Sequence, residues 1–298
     1  MSAAPTLIAP EREAPLRRSR PRPARRRRFL LVVADHCVLI ALAIAFLAPL
    51  VFITLTSLMT DRQALSPDLW PDPFRLRNFG DVFTAVPLLR YAANTFLYAT
   101  LATIGVIVSS VPVAYALARL RWRGRDAVLL LVVASMMLPA QVTVVPLYVL
   151  FSKLHLIGSL TPLILPNWFG DAFSIFLLRQ FFLTIPEEYA DAARVDGCGE
   201  LRIMVSVVAR LARPAIAAVA LFSFLYCWKD FFGPLLYTGE NQDHWPLSLA
   251  IASFRGMHHV EWNMTMAATA LIMAPVIVLF IFAQKSFVKG ITFTGVKG

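Results

Sequence analysis

The residues able to do chemistry in this 298-residue chain fall into two sets. The first lies on a charged island, Thr184 to Pro214 (TIPEEYADAARVDGCGELRIMVSVVARLARP), where Glu188, Asp191, Arg194 and Asp196 stand among the small residues Ala190, Ala192, Ala193 and Gly197. Small side chains at this spacing let another surface approach closely. The second set is polar or aromatic and sits in or beside apolar runs: Gln141, Asn167, Trp168 and Asp171, then Trp228, Lys229 and Asp230. Polar groups at membrane depth are costly, so they count as pathway candidates. Bond-making chemistry has nothing to rest on, because the chain has no GxxxxGK[ST] run, no nucleophile elbow and no HExxH. His258-His259 lacks carboxylate or Cys partners at metal-ligand spacing and reads as part of a solvated outer loop, so no metal and no cofactor is expected on this chain.

The island has a predicted shape. Thr184 with Glu187 three residues on fits a capping box, Pro186 sits near the first helical position, and Glu187 and Glu188 complement the positive helix end. The helix runs to Gly197, which suits the left-handed residue that closes a helix, and Glu200 opens a second helical pattern toward Pro214.

The elements around these residues must be membrane helices. The sequence is 58% hydrophobic and 15% charged, with mean hydropathy +0.66, far too apolar for a soluble domain of ordinary composition. A bilayer core needs about 20 apolar residues per helix, and six such runs lie near 33–57, 92–118, 127–151, 158–182, 214–237 and 264–284. Pro139, Pro146, Pro162 and Pro166 interrupt the third and fourth, which are expected to be kinked and buried in the bundle. Residues 1–28 are an Arg/Pro-rich tail expected to be disordered. Arg27-Arg28 faintly resembles a twin-arginine signal, but the apolar run behind it continues to about Leu58 and fits an uncleaved first span. Cys37, Cys198 and Cys227 are too scattered for a disulfide framework.

Positive charge sets the orientation. With the N-terminus inside, cytoplasmic pieces hold 21 of the 28 Lys and Arg residues, and the other seven are thinly spread outside. The net charge of +10 is thus a topology signal, not a nucleic-acid footprint. Both termini and the island are expected in the cytoplasm, and the longer loops 58–91 and 238–263, with Trp70, Trp245 and Trp262, outside.

At the island the chain resembles the permease subunits of bacterial binding-protein-dependent ABC importers. Their cytoplasmic EAA loop is Glu-Ala-Ala, three residues, Gly, nine residues, then Ile-x-Leu-Pro. Here it reads Asp191-Ala192-Ala193, Arg194-Val195-Asp196, Gly197 and, after nine residues, Val207-Val208-Ala209-Arg210, so the second half departs from the pattern. The resemblance is greatest to the carbohydrate branch, the maltose-permease G-subunit type. It extends through Leu138–Tyr148, Phe176–Phe182, Gln284–Thr292 and Gly295–Gly298, while Trp228-Lys229 replaces a common Trp-Asn.

The resemblance implies an all-α polytopic membrane protein with six transmembrane helices, the MetI-like permease fold, occupying 29–298, with the coupling loop at 184–214. It implies residence in the bacterial plasma membrane and four partners besides the lipid bilayer: a second, different permease, two ATPase subunits that carry ATP and Mg, and an extracytoplasmic solute-binding protein. Glu188, Asp191, Ala192, Ala193, Arg194, Asp196 and Gly197 would dock the ATPase, and the polar set would line the solute path, with Trp168 and Trp228 able to stack on a sugar face. Local alternatives are a helix lying on the lipid surface, tryptophans acting as interface anchors, and a Lys229–Asp230 pair. Functional alternatives are a permease for another solute, such as glycerol phosphate or a peptide, and a stand-alone secondary transporter or channel; a membrane enzyme is the most distant.

Overall fold

The computed structural model describes the backbone of residues 25–254 and 260–292, and the side chains of residues 31–139, 141–254 and 260–282. Residues 1–24 of the expected tail, His258-His259 and the last six residues lie outside the described residues; Arg25–Arg28 belong to the first helix rather than to the tail.

The described regular elements are helical. The chain divides into two units, residues 1–51 and residues 52–298. The first consists, in its described part, of most of α1 (Arg25–Ser57), an apolar helix long enough to cross a membrane. In the second, α2 (Asp61–Ala64) and α3 (Arg77–Ala85) occupy the first long loop, with Thr60 closing a capping box onto Gln63. Then comes α4 (Leu88–Arg119), a second helix long enough to span. The expected third span is split into α5 (Arg125–Ser135) and α6 (Ala140–Lys153) at Pro139.

The fourth is α7 (Thr161–Ile164), a 3-10 turn (Leu165–Phe169) and α8 (Ala172–Thr184), broken at Gly170. The island holds α9 (Glu188–Val195), α10 (Glu200–Ile203), a π turn (Met204–Val208) and α11 (Ala209–Leu211). It leads into α12 (Arg213–Lys229), with Pro214 in the first turn where its missing N–H costs nothing. After a break at Asp230 follow α13 (Phe232–Thr238), α14 (Leu247–Ser253) and α15 (Trp262–Thr292), a third full-length span. Among the described residues three helices are thus long and apolar enough to cross in one piece, and two further pairs are sharply bent.

The centre of the second unit is α4. It contributes Leu88 and Tyr91 to one buried cluster, Tyr98, Ala99 and Ala102 to another, and Val106, Ala114, Tyr115 and Ala118 to a third that includes the island. Small residues let neighbours come close where lipid gives no hydrophobic drive between helices. At Gly105 this is acute, because a Cβ would lie 2.5 Å from Cδ1 of Trp168, so only glycine admits that ring.

The expectation that the third span is buried is overturned. Leu130, Leu131, Met137 and Val145 are all exposed, as suits side chains that face lipid or another subunit rather than this chain's own core.

Candidate functional site

The island is built by two bends. α9 turns 79° from the preceding helical pair, and the segment Glu200–Leu211 turns 82° into α12, so α9 lies across its neighbours. The predicted capping box at Thr184 is absent. The helix before it simply continues: Thr184 ends α8, its hydroxyl donating to the Phe181 carbonyl (2.7 Å). Pro186 then forces Ile185 into an extended conformation (φ −77°, ψ 129°), and the new helix starts at Glu188 with no side-chain cap. The far end closes as predicted. Gly197 has φ +80°, its N–H donates to the Arg194 carbonyl (3.0 Å), and the Cys198 N–H donates to Ala193 (2.9 Å), the paired bonds of a Schellman turn.

Burial divides the predicted coupling residues. Ala190 and Ala193 point into this chain's core beside Phe182 and Ile203, so they are not a free docking face. Spacing of three along a helix puts them on one side, and that side is the one that packs. Glu188, Asp191, Ala192, Asp196 and Gly197 are exposed, as are the apolar Tyr189, Val195 (88%) and Leu201. Exposed large apolar groups on a charged helix mark an interaction surface more strongly than charge alone.

Arg194 and Asp191 already have partners. Arg194 Nη1 donates to Asp191 (2.7 Å) and its Nε to Glu200 Oε1 (2.8 Å), while the Tyr115 hydroxyl donates to Glu200 Oε2 (2.5 Å). Hydrogen bonds from Arg194 and then Tyr115 hold the Glu200 carboxyl below its usual range, and the bond to Glu200 holds Arg194 up. A depressed carboxylate contributes at neutral pH and loses its contribution as pH falls through its folded-state pKa. Beside this network an open groove of about 420 Å³ separates the end of α4, with Arg119 and Arg121, from Glu187, Asp191 and Arg194. Tyr115, Arg119 and Glu200 carry no signal in the motif; only the fold makes them part of the site.

The polar set is not one constellation. Gln141 is exposed in the first turn of α6. Asn167 donates to Leu163 O (2.8 Å), and its own carbonyl accepts from Ser109 Oγ (3.4 Å). Trp168 is part-exposed against Gly105. Asp171 caps α8, Oδ2 accepting from the Ser174 N–H (2.8 Å) and hydroxyl (2.5 Å). Asp171→Ala should therefore cost about 1 kcal/mol in thermal unfolding, and Asp171→Asn less than half of that, since Asn caps equally well.

Asp230 bridges the α12–α13 break, accepting from Tyr98 OH (3.1 Å) and the Gly233 N–H (3.1 Å), while Lys229 is exposed and makes no ion pair with it. Trp228 does not fit a stacking role. It is buried, stacked on Phe224 with centroids 5.5 Å apart, and its indole N–H donates to Ile272 O (3.4 Å), so its ring serves packing.

Long apolar helices, and helical pairs bent by about 80° where the charged helix leaves them, define a multi-pass helical membrane protein. Residues 110–293 match the family described as binding-protein-dependent transport system inner membrane component, and the chain belongs to that family. It is 32% identical over 230 residues to the arabinooligosaccharides transport system permease protein of Halalkalibacterium halodurans, over 76% of this chain and 81% of that protein. It is 30% identical over 269 residues to the sn-glycerol-3-phosphate transport system permease protein of Yersinia pestis, over 86% of this chain and 94% of that one. In fold it is similar to a chain of a bacterial ABC transporter involved in import of the acidic polysaccharide alginate, with TM-score 0.77 and 23% identity over 89% of this chain and 99% of that chain. The family is a transport component rather than a catalyst.

Proposed function

We propose that this chain is one of two different permeases of an ATP-driven importer for a carbohydrate, and that α9 couples it to a cytoplasmic ATPase. The observation that carries this reading is the exposed face of α9 and its flanks, where Tyr189, Val195 and Leu201 stand beside Glu188 and Asp191 on a helix whose opposite side is anchored in the core. An anchored helix with an apolar, charged outer face can transmit force; a helix floating on lipid cannot. In this reading α5 with α6 completes a count of six spans in the bacterial plasma membrane, with both termini and α9 cytoplasmic. ATP and Mg belong to the two ATPase subunits, an extracytoplasmic binding protein delivers solute to the outer loops, and nucleic acid has no part. Gln141, Asn167, Trp168, Asp171, Lys229 and Asp230 are the candidates for the solute path.

A polyol phosphate is the second reading for the solute, supported by the relative named for sn-glycerol-3-phosphate transport at 30% identity over 86% of this chain. The test is reconstitution in proteoliposomes with a second permease, an ATPase and a binding protein supplied as partners. Uptake of the ligand held by that binding protein should require ATP inside the cytoplasmic face and stop when the ATPase is left out. Uptake by this chain alone, driven by an ion gradient, would overturn the proposal.

A further inference from the structure

On the reading of α9 as the coupling helix, we propose that the last turn of α4 is the receiver of its motion, through a two-point clasp made by Tyr115 and Arg119. These residues are four apart on α4 and so share one face. Arg119 holds the entry to α9: its Nη2 donates to the Phe182 carbonyl (2.5 Å) and to the Ile185 carbonyl, in the last turn of α8 and the extended link that follows. A cation bonded to the final carbonyls of a helix also meets the negative end of its dipole. Tyr115 holds the exit from α9: its hydroxyl donates to Glu200 at the start of α10, and Glu200 is bonded in turn to Arg194 on α9 itself.

One helical turn of α4 therefore grips the chain on both sides of α9, and Ala190 and Ala193 pack in the same core cluster as Tyr115 between the two grips. The consequence is mechanical. α9 is joined covalently to α8 and, through α10 and α11, to α12, but each junction is a bend of about 80°. Bends absorb displacement, whereas the clasp is made of part-buried, charge-assisted bonds to one continuous helix that contributes to each of the three buried clusters described above. A push on α9 is thereby delivered to α4 as a rigid-body load, and from α4 to the packing around Trp168 and Tyr98. Tyr115 and Arg119 are positioning residues, touching neither nucleotide nor solute.

The experiment is solute transported per ATP hydrolysed, measured in proteoliposomes of the full complex, for Tyr115→Phe and Glu200→Gln singly and together, with ATPase retention on the permease pair measured in parallel. Tyr115→Phe removes one hydroxyl and keeps the buried ring. Each single variant should lower the ratio at least threefold with the ATPase still bound, and the double variant should be no worse than the poorer single one, since Glu200→Gln takes the charge from the same bond that Tyr115→Phe removes. An unchanged ratio would overturn the clasp, as would fully additive losses. Loss of ATPase binding in the single variants would also overturn it, in favour of a docking role. A wild-type complex whose uptake is independent of the ATPase would instead overturn the coupling reading on which the clasp rests.

Discussion

Gly197→Val should cut ATP-driven uptake to a tenth or less, while Gly197→Asn keeps most of it. Gly197 sits at φ +80°, and a β-branched residue there is a steric outlier at a cost of about 2 kcal/mol, whereas Asn visits the left-handed region readily. The Schellman turn at Gly197 and Cys198 sets the angle at which the chain leaves α9, so forcing it open displaces Glu200 from Arg194 and frees one end of the helix. Since about 1.4 kcal/mol is a factor of ten in a two-state population, the expected penalty reaches the stated loss. A Cβ at Gly197 meets nothing within 4 Å in this chain, so the Val defect is one of backbone shape. If Asn proved as harmful as Val, the open space beside Gly197 would have to be filled by the docking partner. Wild-type uptake in Gly197→Val would remove the turn from the coupling mechanism.

Phe182→Ala is expected to be the most damaging single truncation of the island's support, costing about 3–5 kcal/mol in unfolding of the purified chain in detergent. Phe182 is completely buried, in the cluster that joins α4, α8, α9 and the π turn. The cavity left by its ring would border Ala190 and Ala193, which are too small to fill it. Its backbone carbonyl is also one of the two held by Arg119, so repacking there loosens the entry to α9. Phe173→Ala, on the exposed side of the same helix, should cost about 0.5 kcal/mol or less. A similar loss for both would mean that the end of α8 relaxes without using the core around it.

Much of the architecture could be read before any coordinates. The apolar runs near 33–57, 92–118 and 264–284 coincide with helices long and apolar enough to span, because bilayer compatibility is a property of composition over about 20 residues. Pro139 marks the break of the third span and Pro166 lies in the 3-10 turn of the fourth, whereas Pro146 stays inside α6 and Pro162 opens α7, and none of them said whether those spans are buried. Their burial depends on which neighbours arrive, and α5 and α6 expose the apolar side chains that a hydropathy profile counts the same either way.

The capping box at Thr184 failed for a related reason. Thr184 and Glu187 have suitable types and spacing, but helix α8 packs through Phe182 and is carried on to Thr184, leaving Pro186 to break the chain before the next helix can start. Trp228 matched the pattern of an aromatic beside polar residues, and its ring went into the core because Phe224 and α15 cover it.

The sequence by itself determined that this is a polytopic helical membrane protein, that a charged island stands apart from its apolar runs, and that Gly197 ends the island's first helix. Those conclusions rest on composition and on local backbone chemistry, which neighbours in sequence are enough to impose. Only the tertiary structure decided which face of α9 is free, that Arg194 is held by Glu200, and that Tyr115 and Arg119 grip the helix from α4. Tyr115 and Glu200 are 85 positions apart, and no pattern along the chain brings them together. Their bond exists because the buried face of α9 and the end of α4 join one core cluster, and that shared packing places a hydroxyl and a carboxylate within reach of each other.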